Sequence, residues 1–169
     1  IESETDSELV AHLIERELRT TKDLLKAVLQ ILPKLKGAYA ILCVSEAQPD
    51  VMVAFKNGPP LILGVGPDAM YVASDVQALV NYTKKIVYLD DGEVAVIKGT
   101  THQVLSADGK PVTKKVVDVN WTSEAASKGG FSHFMLKEIF EQPRAVAQAI
   151  QPHINLAKNR VEMADMGVD

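Results

Sequence analysis

The first candidate for chemistry is Asp6, which lies in the run Ser3-Glu4-Thr5-Asp6-Ser7-Glu8. Thr5 followed three residues later by Glu8 is a capping-box pattern and predicts that a helix begins here. A carboxylate at a helix start is stabilised by the partial positive charge of the unpaired amides. If it stays accessible to solvent, it is a suitable receptor for an ammonium group. An aspartate in a first helical turn also stabilises a helix without binding anything, and the spacing alone favours that simpler interpretation.

The other reactive residue types show no arrangement suited to catalysis. The single cysteine, Cys43, lies within the apolar run Ala40 to Val44, where a thiol is expected to behave as a small buried hydrophobe. A reactive thiolate needs exposure and a nearby positive group, and the sequence indicates neither. The histidines show no metal-ligand spacing with one another or with Cys43. We therefore expect no catalytic residue, no metal site and no cofactor within the chain.

Composition limits the classes of function. Of the 169 residues, 47% are hydrophobic and 24% are charged, which is typical of a globular domain. The formal net charge of −4 argues against a nucleic-acid partner, which would need a basic surface. No apolar run approaches the roughly 20 residues that cross a bilayer. A single cysteine fits a reducing compartment, so the expected location is the cytoplasm.

A second informative run extends from Phe134 to Pro143. Lys137 and Glu141 stand four residues apart, and Phe134, Met135 and Ile139 share a helical face. Periodicity alone predicts a packing helix with a charged outer face. Pro143 removes a backbone donor, so it is expected to kink that helix or to begin the next one.

In order and separation, the two runs resemble the glutaminase domain of glutamine–fructose-6-phosphate aminotransferases. The resemblance extends from Glu2 to about Pro152. It implies that Asp6 binds the α-amino group of the substrate glutamine. The family's nucleophile is an N-terminal cysteine, whereas this chain begins with Ile1. The resemblance therefore implies that the nucleophile, the oxyanion-hole groups and the carboxylate-binding arginine lie upstream, and that the sugar-phosphate site lies downstream of Asp169.

The resemblance also implies a function and its partners. Residues 1–152 are expected to be the later portion of the glutaminase domain, and residues 153–169 a linker toward an absent sugar-isomerase domain. Such a domain hydrolyses glutamine and supplies ammonia for converting fructose 6-phosphate into glucosamine 6-phosphate. The expected partners are glutamine, fructose 6-phosphate through the isomerase domain, and a second copy through that same domain. Without the nucleophile, this segment is expected to be inactive alone.

Two alternatives remain open from the sequence. Another amidotransferase of the same class, such as the purine-pathway enzyme, carries a run similar to Ser3–Asp6, although the Lys137–Pro143 run argues against it. The chain could instead be a non-catalytic interaction module with the same sandwich architecture.

The helices and strands that the sequence predicts around Asp6 indicate an α+β fold. Helices are expected from Thr5 and from Thr21, each of which can cap a helix start, and another near Phe131 after a surface loop over Thr122–Gly130. The resemblance implies the four-layer αββα sandwich of N-terminal-nucleophile hydrolases, with the front of the domain absent and strand edges left unpaired. The first strand is expected to be covered on both faces, because both of its alternating sets of residues are apolar. Apolar runs between turn signals predict eight strands: Ala38–Val44, Val51–Phe55, Leu61–Val65, Met70–Ala73, Ile86–Leu89, Glu93–Ile97, Gln103–Leu105 and Lys115–Val117.

Overall fold

Two helices precede a series of short antiparallel strands, as the alternation of apolar runs and turn residues predicts. The computed structural model describes residues 2–119, 128–155 and 159–161, and the chain divides into two units, Ile1–Ser123 and Glu124–Asp169. Most of the predicted Thr122–Gly130 loop lies outside the described residues. The first unit contains α1 (Asp6–Thr21), α2 (Leu24–Ile31), β1 (Tyr39–Ser45), β2 (Gln48–Asn57), β3 (Ile62–Val65), β4 (Met70–Ala73), β5 (Lys85–Tyr88), β6 (Val94–Lys98), β7 (Thr101–Leu105), β8 (Pro111–Val112) and β9 (Val117–Asp118).

The strands of the first unit form two antiparallel sheets. The first sheet has the order β1-β2-β6-β7-β8 and the second the order β4-β3-β5-β9. The chain alternates between them. It forms β1 and β2 in the first sheet, β3 to β5 in the second, β6 to β8 in the first again, and β9 in the second. As a result, the whole of β3, β4 and β5 is inserted between β2 and β6, which are adjacent in space.

Three apolar clusters hold these layers together. The helical core joins α1 and α2 to one face of the first sheet through residues that include Val28, Val53 and Phe55. The inter-sheet core joins the other face to the second sheet and includes Ala54, Leu63 and Ile97. Alternation along β2 explains this arrangement, because successive side chains of a strand point to opposite faces.

The outer face of the second sheet carries a smaller cluster around Ile62, Ile86 and Leu79. Part of its cover is a 3-10 segment, Val76–Ala78, where the sequence predicts a short helix that Ser74 caps. Asp75 is the N-cap instead, and its side chain accepts a hydrogen bond from the Gln77 amide at 2.6 Å. Helices and sheets in one body confirm the α+β class. Two packed sheets with a helical layer on one side are compatible with the αββα sandwich.

The capping of the first helix and the start of the second differ from the prediction. The Thr5 side chain makes no cap hydrogen bond, although Thr5 does precede the first helical residue. The second helix begins after Asp23 rather than after Thr21, because α1 continues to Thr21 and ends on Lys22 in a left-handed conformation with φ 54°. The Asp23 carboxylate then accepts a hydrogen bond from the Lys26 amide at 2.9 Å. The predicted placement failed because threonine and aspartate both favour N-caps.

The prediction that the first strand is covered on both faces is wrong. β1 lies at the edge of its sheet and pairs only with β2. Its residues alternate between partly buried and exposed. Leu42 and Val44 are 46% and 65% exposed. An apolar residue at every position suggested a central strand, but only Tyr39, Ile41 and Cys43 pack on the helical core.

The second unit contains α3 (Phe134–Ile150), β10 (Ile154–Asn155) and β11 (Arg160–Val161). Pro143 lies inside α3 and does not begin a new helix. The expected charged outer face is also wrong, since Lys137 is only 8% exposed whereas Met135 and Phe140 are 68% and 66% exposed. Part of the predicted 153–169 linker forms the two-residue antiparallel pair of β10 and β11. The domain boundary at residue 152 stays a prediction.

Candidate functional site

The segment before α1 is held by a clamp from the first turn of that helix. The Glu8 carboxylate accepts hydrogen bonds from the backbone amides of Glu2 and Ser3, each at 2.6 Å. Ser3 and Thr5 share a hydroxyl hydrogen bond of 2.8 Å. Hydrogen bonds from Ser3, and then that from the Glu2 amide, lower the pKa of Glu8 to about 2. Glu8 thus reaches further back than the predicted capping box and fixes the chain that leads into Asp6.

Asp6 is the first residue of α1, and its side chain is exposed. Within the described residues, its carboxylate makes no hydrogen bond or ion pair. Amides at a helix start carry partial positive charge, so an acidic side chain is a favourable residue type at this position. The neighbouring acid, Glu8, is occupied by the clamp. Asp6 is therefore the acidic side chain of this turn that is available to a ligand.

Asp6 lines a cleft of about 350 Å³, called here the Asp6 cleft. One wall is α1, and the opposite wall is the segment that leads into β1 and the first residues of that strand. Two lysines also line it. Lys34 pairs with Glu17 at 2.7 Å, whereas Lys36 is exposed and has no ion pair among the described residues. The cleft therefore combines a free carboxylate with a free ammonium group.

Sequence reasoning missed both lysines as residues of this cleft. They lie some thirty positions after Asp6, and the packing of α2 against α1 in the helical core returns the chain to Asp6. The available signal was the pair Pro33 and Gly37, which marks a turn but does not indicate what the turn approaches. The position of Lys36 in the cleft therefore could not be predicted from residue spacing.

Cys43 lies on β1, on the face that packs against the helical core. Its thiol is partly buried and donates a hydrogen bond to the Val53 carbonyl oxygen at 3.2 Å. Burial raises the pKa of the Cys43 thiol to about 12. Because the thiolate is the nucleophile, this cysteine is unsuited to covalent catalysis. The strand is an edge rather than the buried strand that was expected, but the chemical interpretation of the cysteine is unchanged.

We expect Cys43 to react slowly with thiol reagents in the folded chain. Since the pKa rises from 9.0 to about 12, alkylation at pH 8 should be about a thousandfold slower than for an ordinary thiol. The rate should keep rising with pH well above 9, where a normal cysteine levels off. Iodoacetamide labelling followed by mass spectrometry measures this, and the denatured chain serves as the control. Equal rates in the folded and denatured chain would contradict the prediction.

The chain is similar in sequence to proteins named glutamine–fructose-6-phosphate aminotransferase (isomerizing). It is 46% identical to that of Aquifex aeolicus over 149 residues, which are 88% of this chain and 25% of that protein. It is 42% identical to that of Thermococcus kodakarensis over 95% of this chain and 27% of that protein. For Thermotoga maritima the identity is 46%, over 88% of this chain and 24% of that protein.

The chain thus spans about a quarter of the length of the curated relatives it matches. No protein-family model matches it. Among the described helices, none has the length and apolar character needed to span a membrane.

Proposed function

We propose that this chain is part of a glutaminase domain. It belongs to the glutamine–fructose-6-phosphate aminotransferase (isomerizing) family and spans about a quarter of its relatives' length. In the complete enzyme that carries this segment, the domain hydrolyses glutamine. The ammonia released is used to convert fructose 6-phosphate into glucosamine 6-phosphate. We assign residues 1–152 to this domain and residues 153–169 to the linker that follows it.

One observation carries the proposal. Asp6 lines a cleft with a carboxylate that no described residue pairs with, and it stands within the Ser3–Glu8 run. The name of the relatives identifies glutamine as a substrate, and glutamine carries an α-ammonium group that needs an anionic receptor. A charge-assisted hydrogen bond between an ammonium group and a carboxylate is stronger than one between neutral partners. The Glu8 clamp supports this role, because it orders the turn on which Asp6 stands.

Asp6 is assigned to binding and not to catalysis. Glutamine hydrolysis by a thiol passes through a tetrahedral oxyanion and a thioester. Cys43 does not supply that thiol, because its pKa is about 12. The nucleophile therefore belongs to another part of the complete enzyme, and the role of this segment is to orient the substrate through its amino group. The sugar phosphate is bound elsewhere in the complete enzyme, which we infer to be a homodimer in the cytoplasm.

The two alternatives receive less support. The relatives described above share one name, which favours the sugar-phosphate enzyme over the purine-pathway enzyme. A purely structural module would not require an unpaired acidic side chain in a cleft. Asp6 and its cleft therefore favour ligand binding over the interaction module.

The test compares the isolated chain with the complete enzyme. With glutamine as substrate, we expect the isolated chain to release no ammonia, whereas the complete enzyme releases ammonia and forms glucosamine 6-phosphate from fructose 6-phosphate. A coupled glutamate dehydrogenase assay measures the ammonia, and Cys43→Ala is the control for both proteins. Ammonia release by the isolated chain that disappears in Cys43→Ala would contradict the assignment, as would a complete enzyme without glutaminase activity.

A further inference from the structure

A series of hydrogen bonds connects Glu8 to the residue that directly precedes Asp6. The Glu8 carboxylate accepts hydrogen bonds from the backbone amides of Glu2 and Ser3, each at 2.6 Å. The Ser3 hydroxyl in turn shares a hydrogen bond of 2.8 Å with the Thr5 hydroxyl, and it accepts one from the Thr5 amide at 3.3 Å. Both the side chain and the backbone of Thr5 are therefore held, and Asp6 follows directly in the chain.

This arrangement differs from the one that would best stabilise the helix start. In a capping box, the N-cap hydroxyl accepts a hydrogen bond from the amide three residues later, and the acid at that position accepts one from the N-cap amide. Thr5 and Glu8 have the residue types and the spacing for that pattern. Among the described residues, however, the Thr5 side chain makes no cap hydrogen bond, and its hydroxyl and amide both bond to Ser3. The groups that could cap α1 thus fix the turn before Asp6.

Glu8 is suited to anchor this turn. It stands in the first turn of a sixteen-residue helix whose apolar side packs in the helical core. Only 19% of its side chain is exposed, and its carboxylate also lies 3.3 Å from the His12 ring on the following turn. Hydrogen bonds from Ser3 and Glu2 lower the pKa of Glu8 to about 2. Glu8 is therefore an ionised acceptor at any pH near neutrality.

We propose that Glu8 is a positioning residue for glutamine, an inference that rests on the proposed function of Asp6. Through Ser3 and Thr5 it fixes the backbone of Asp6, so that the carboxylate is held where it receives the substrate ammonium group. Glu8 itself is not among the described residues that line the Asp6 cleft, and its oxygens are engaged by backbone amides. A receptor that is ordered before the substrate arrives loses less conformational freedom on binding, and this raises its affinity.

Glu8→Gln in the complete enzyme should raise KM for glutamine about tenfold and leave kcat within a factor of about two. The amide keeps the size of the side chain but accepts through one oxygen only, so one backbone hydrogen bond and the charge are lost. A higher KM at unchanged kcat indicates lost binding rather than lost chemistry. Glu15→Gln is the matched control, because Glu15 is an exposed acid of the same helix that pairs with Arg19 at 2.9 Å, and KM should not change. Sugar-phosphate isomerisation should be unchanged in both variants.

The link through Ser3 has a test of its own. Ser3→Ala removes the hydroxyl that holds Thr5 but keeps the backbone amide that Glu8 binds. KM for glutamine should therefore rise, and Ser3→Thr, which keeps a hydroxyl, should leave it close to that of the unsubstituted enzyme. A KM that Ser3→Ala leaves unchanged would overturn the proposal.

A double-mutant cycle decides whether Glu8 acts through Asp6. In the Asp6→Asn background, Glu8→Gln should change kcat/KM by less than about twofold, because the charge that it positions is already gone. Equal effects of Glu8→Gln in both backgrounds would overturn the proposal, as would an equal loss of isomerisation. A loss of glutaminase activity in Asp6→Asn without any effect of Glu8→Gln would remove only the role of Glu8. An unchanged kcat/KM in Asp6→Asn would remove the proposed function of Asp6 and the role of Glu8 together.

Discussion

Asp6→Asn in the complete enzyme is expected to lower kcat/KM for glutamine hydrolysis by about 30-fold or more, which corresponds to a loss of about 2 kcal/mol or more in binding. The substitution keeps the shape of the side chain and its suitability for a helix start, but it removes the charge that we propose pairs with the substrate ammonium group. Isomerisation of the sugar phosphate should persist, because that chemistry is proposed to belong to another domain. Initial rates of glutamine hydrolysis and of sugar-phosphate isomerisation, measured on the same preparation, separate the two reactions.

Glu4→Gln is the matched control for Asp6→Asn. Glu4 is an exposed acid in the same run, two residues before Asp6, but it does not line the Asp6 cleft. Its replacement should leave both reactions within a factor of about two. Equal loss of both activities in Asp6→Asn, together with a lower Tm, would mean that Asp6 is only structural.

Phe55→Ala is expected to destabilise the first unit by about 3–5 kcal/mol, the range for removing a fully buried aromatic ring. Phe55 is 0% exposed and lies on β2 at the centre of the helical core. Its ring meets that of Tyr39 edge to face, with 5.9 Å between centroids. It is also flanked in the sheet by Ile41 on β1 and Val94 on β6. Truncation therefore leaves a cavity between three strands and two helices that the backbone cannot easily close.

Urea denaturation followed by circular dichroism measures the effect of Phe55→Ala. Tyr82→Ala is the comparison within the same unit, because Tyr82 is 62% exposed and loses mainly its stacking with Tyr71 at 5.2 Å. That contact contributes about 1 kcal/mol, so its midpoint should shift far less. Similar shifts for the two variants would contradict the position of Phe55 at the centre of the core.

The order of elements could be predicted from the sequence because it depends on local patterns. The Met70–Ala73 strand was predicted with its observed bounds, since turn residues flank it on both sides. The start of α1 at Asp6 was also predicted. In contrast, the two-residue strand β8 was missed, because so short a segment has no periodicity of its own.

Local sequence patterns could not predict which face of a helix or strand packs against another element. The apolar run of β1 was interpreted as doubly covered, because nothing in a strand's own sequence tells whether its neighbour is present. For the same reason, the exposed Met135 and Ile139 of α3 were assigned to a packed face. The candidate site shows the same difference. Asp6 was singled out as a candidate from its run and does line a cleft, whereas Lys36 lines that cleft only because of how the helices pack.

The insertion of β3, β4 and β5 between the adjacent strands β2 and β6 has a consequence for cooperativity. The β2–β6 pairing of the first sheet closes a loop that contains β3, β4 and β5, and the β5–β9 pairing of the second sheet closes a loop that contains β6, β7 and β8. Such nonlocal pairing carries the entropic cost of closing long loops and slows folding. The two sheets share the inter-sheet core and alternate along the chain, so neither forms a separable folding unit. Unfolding of one sheet exposes the apolar face of the other, and the first unit should therefore lose both in a single transition.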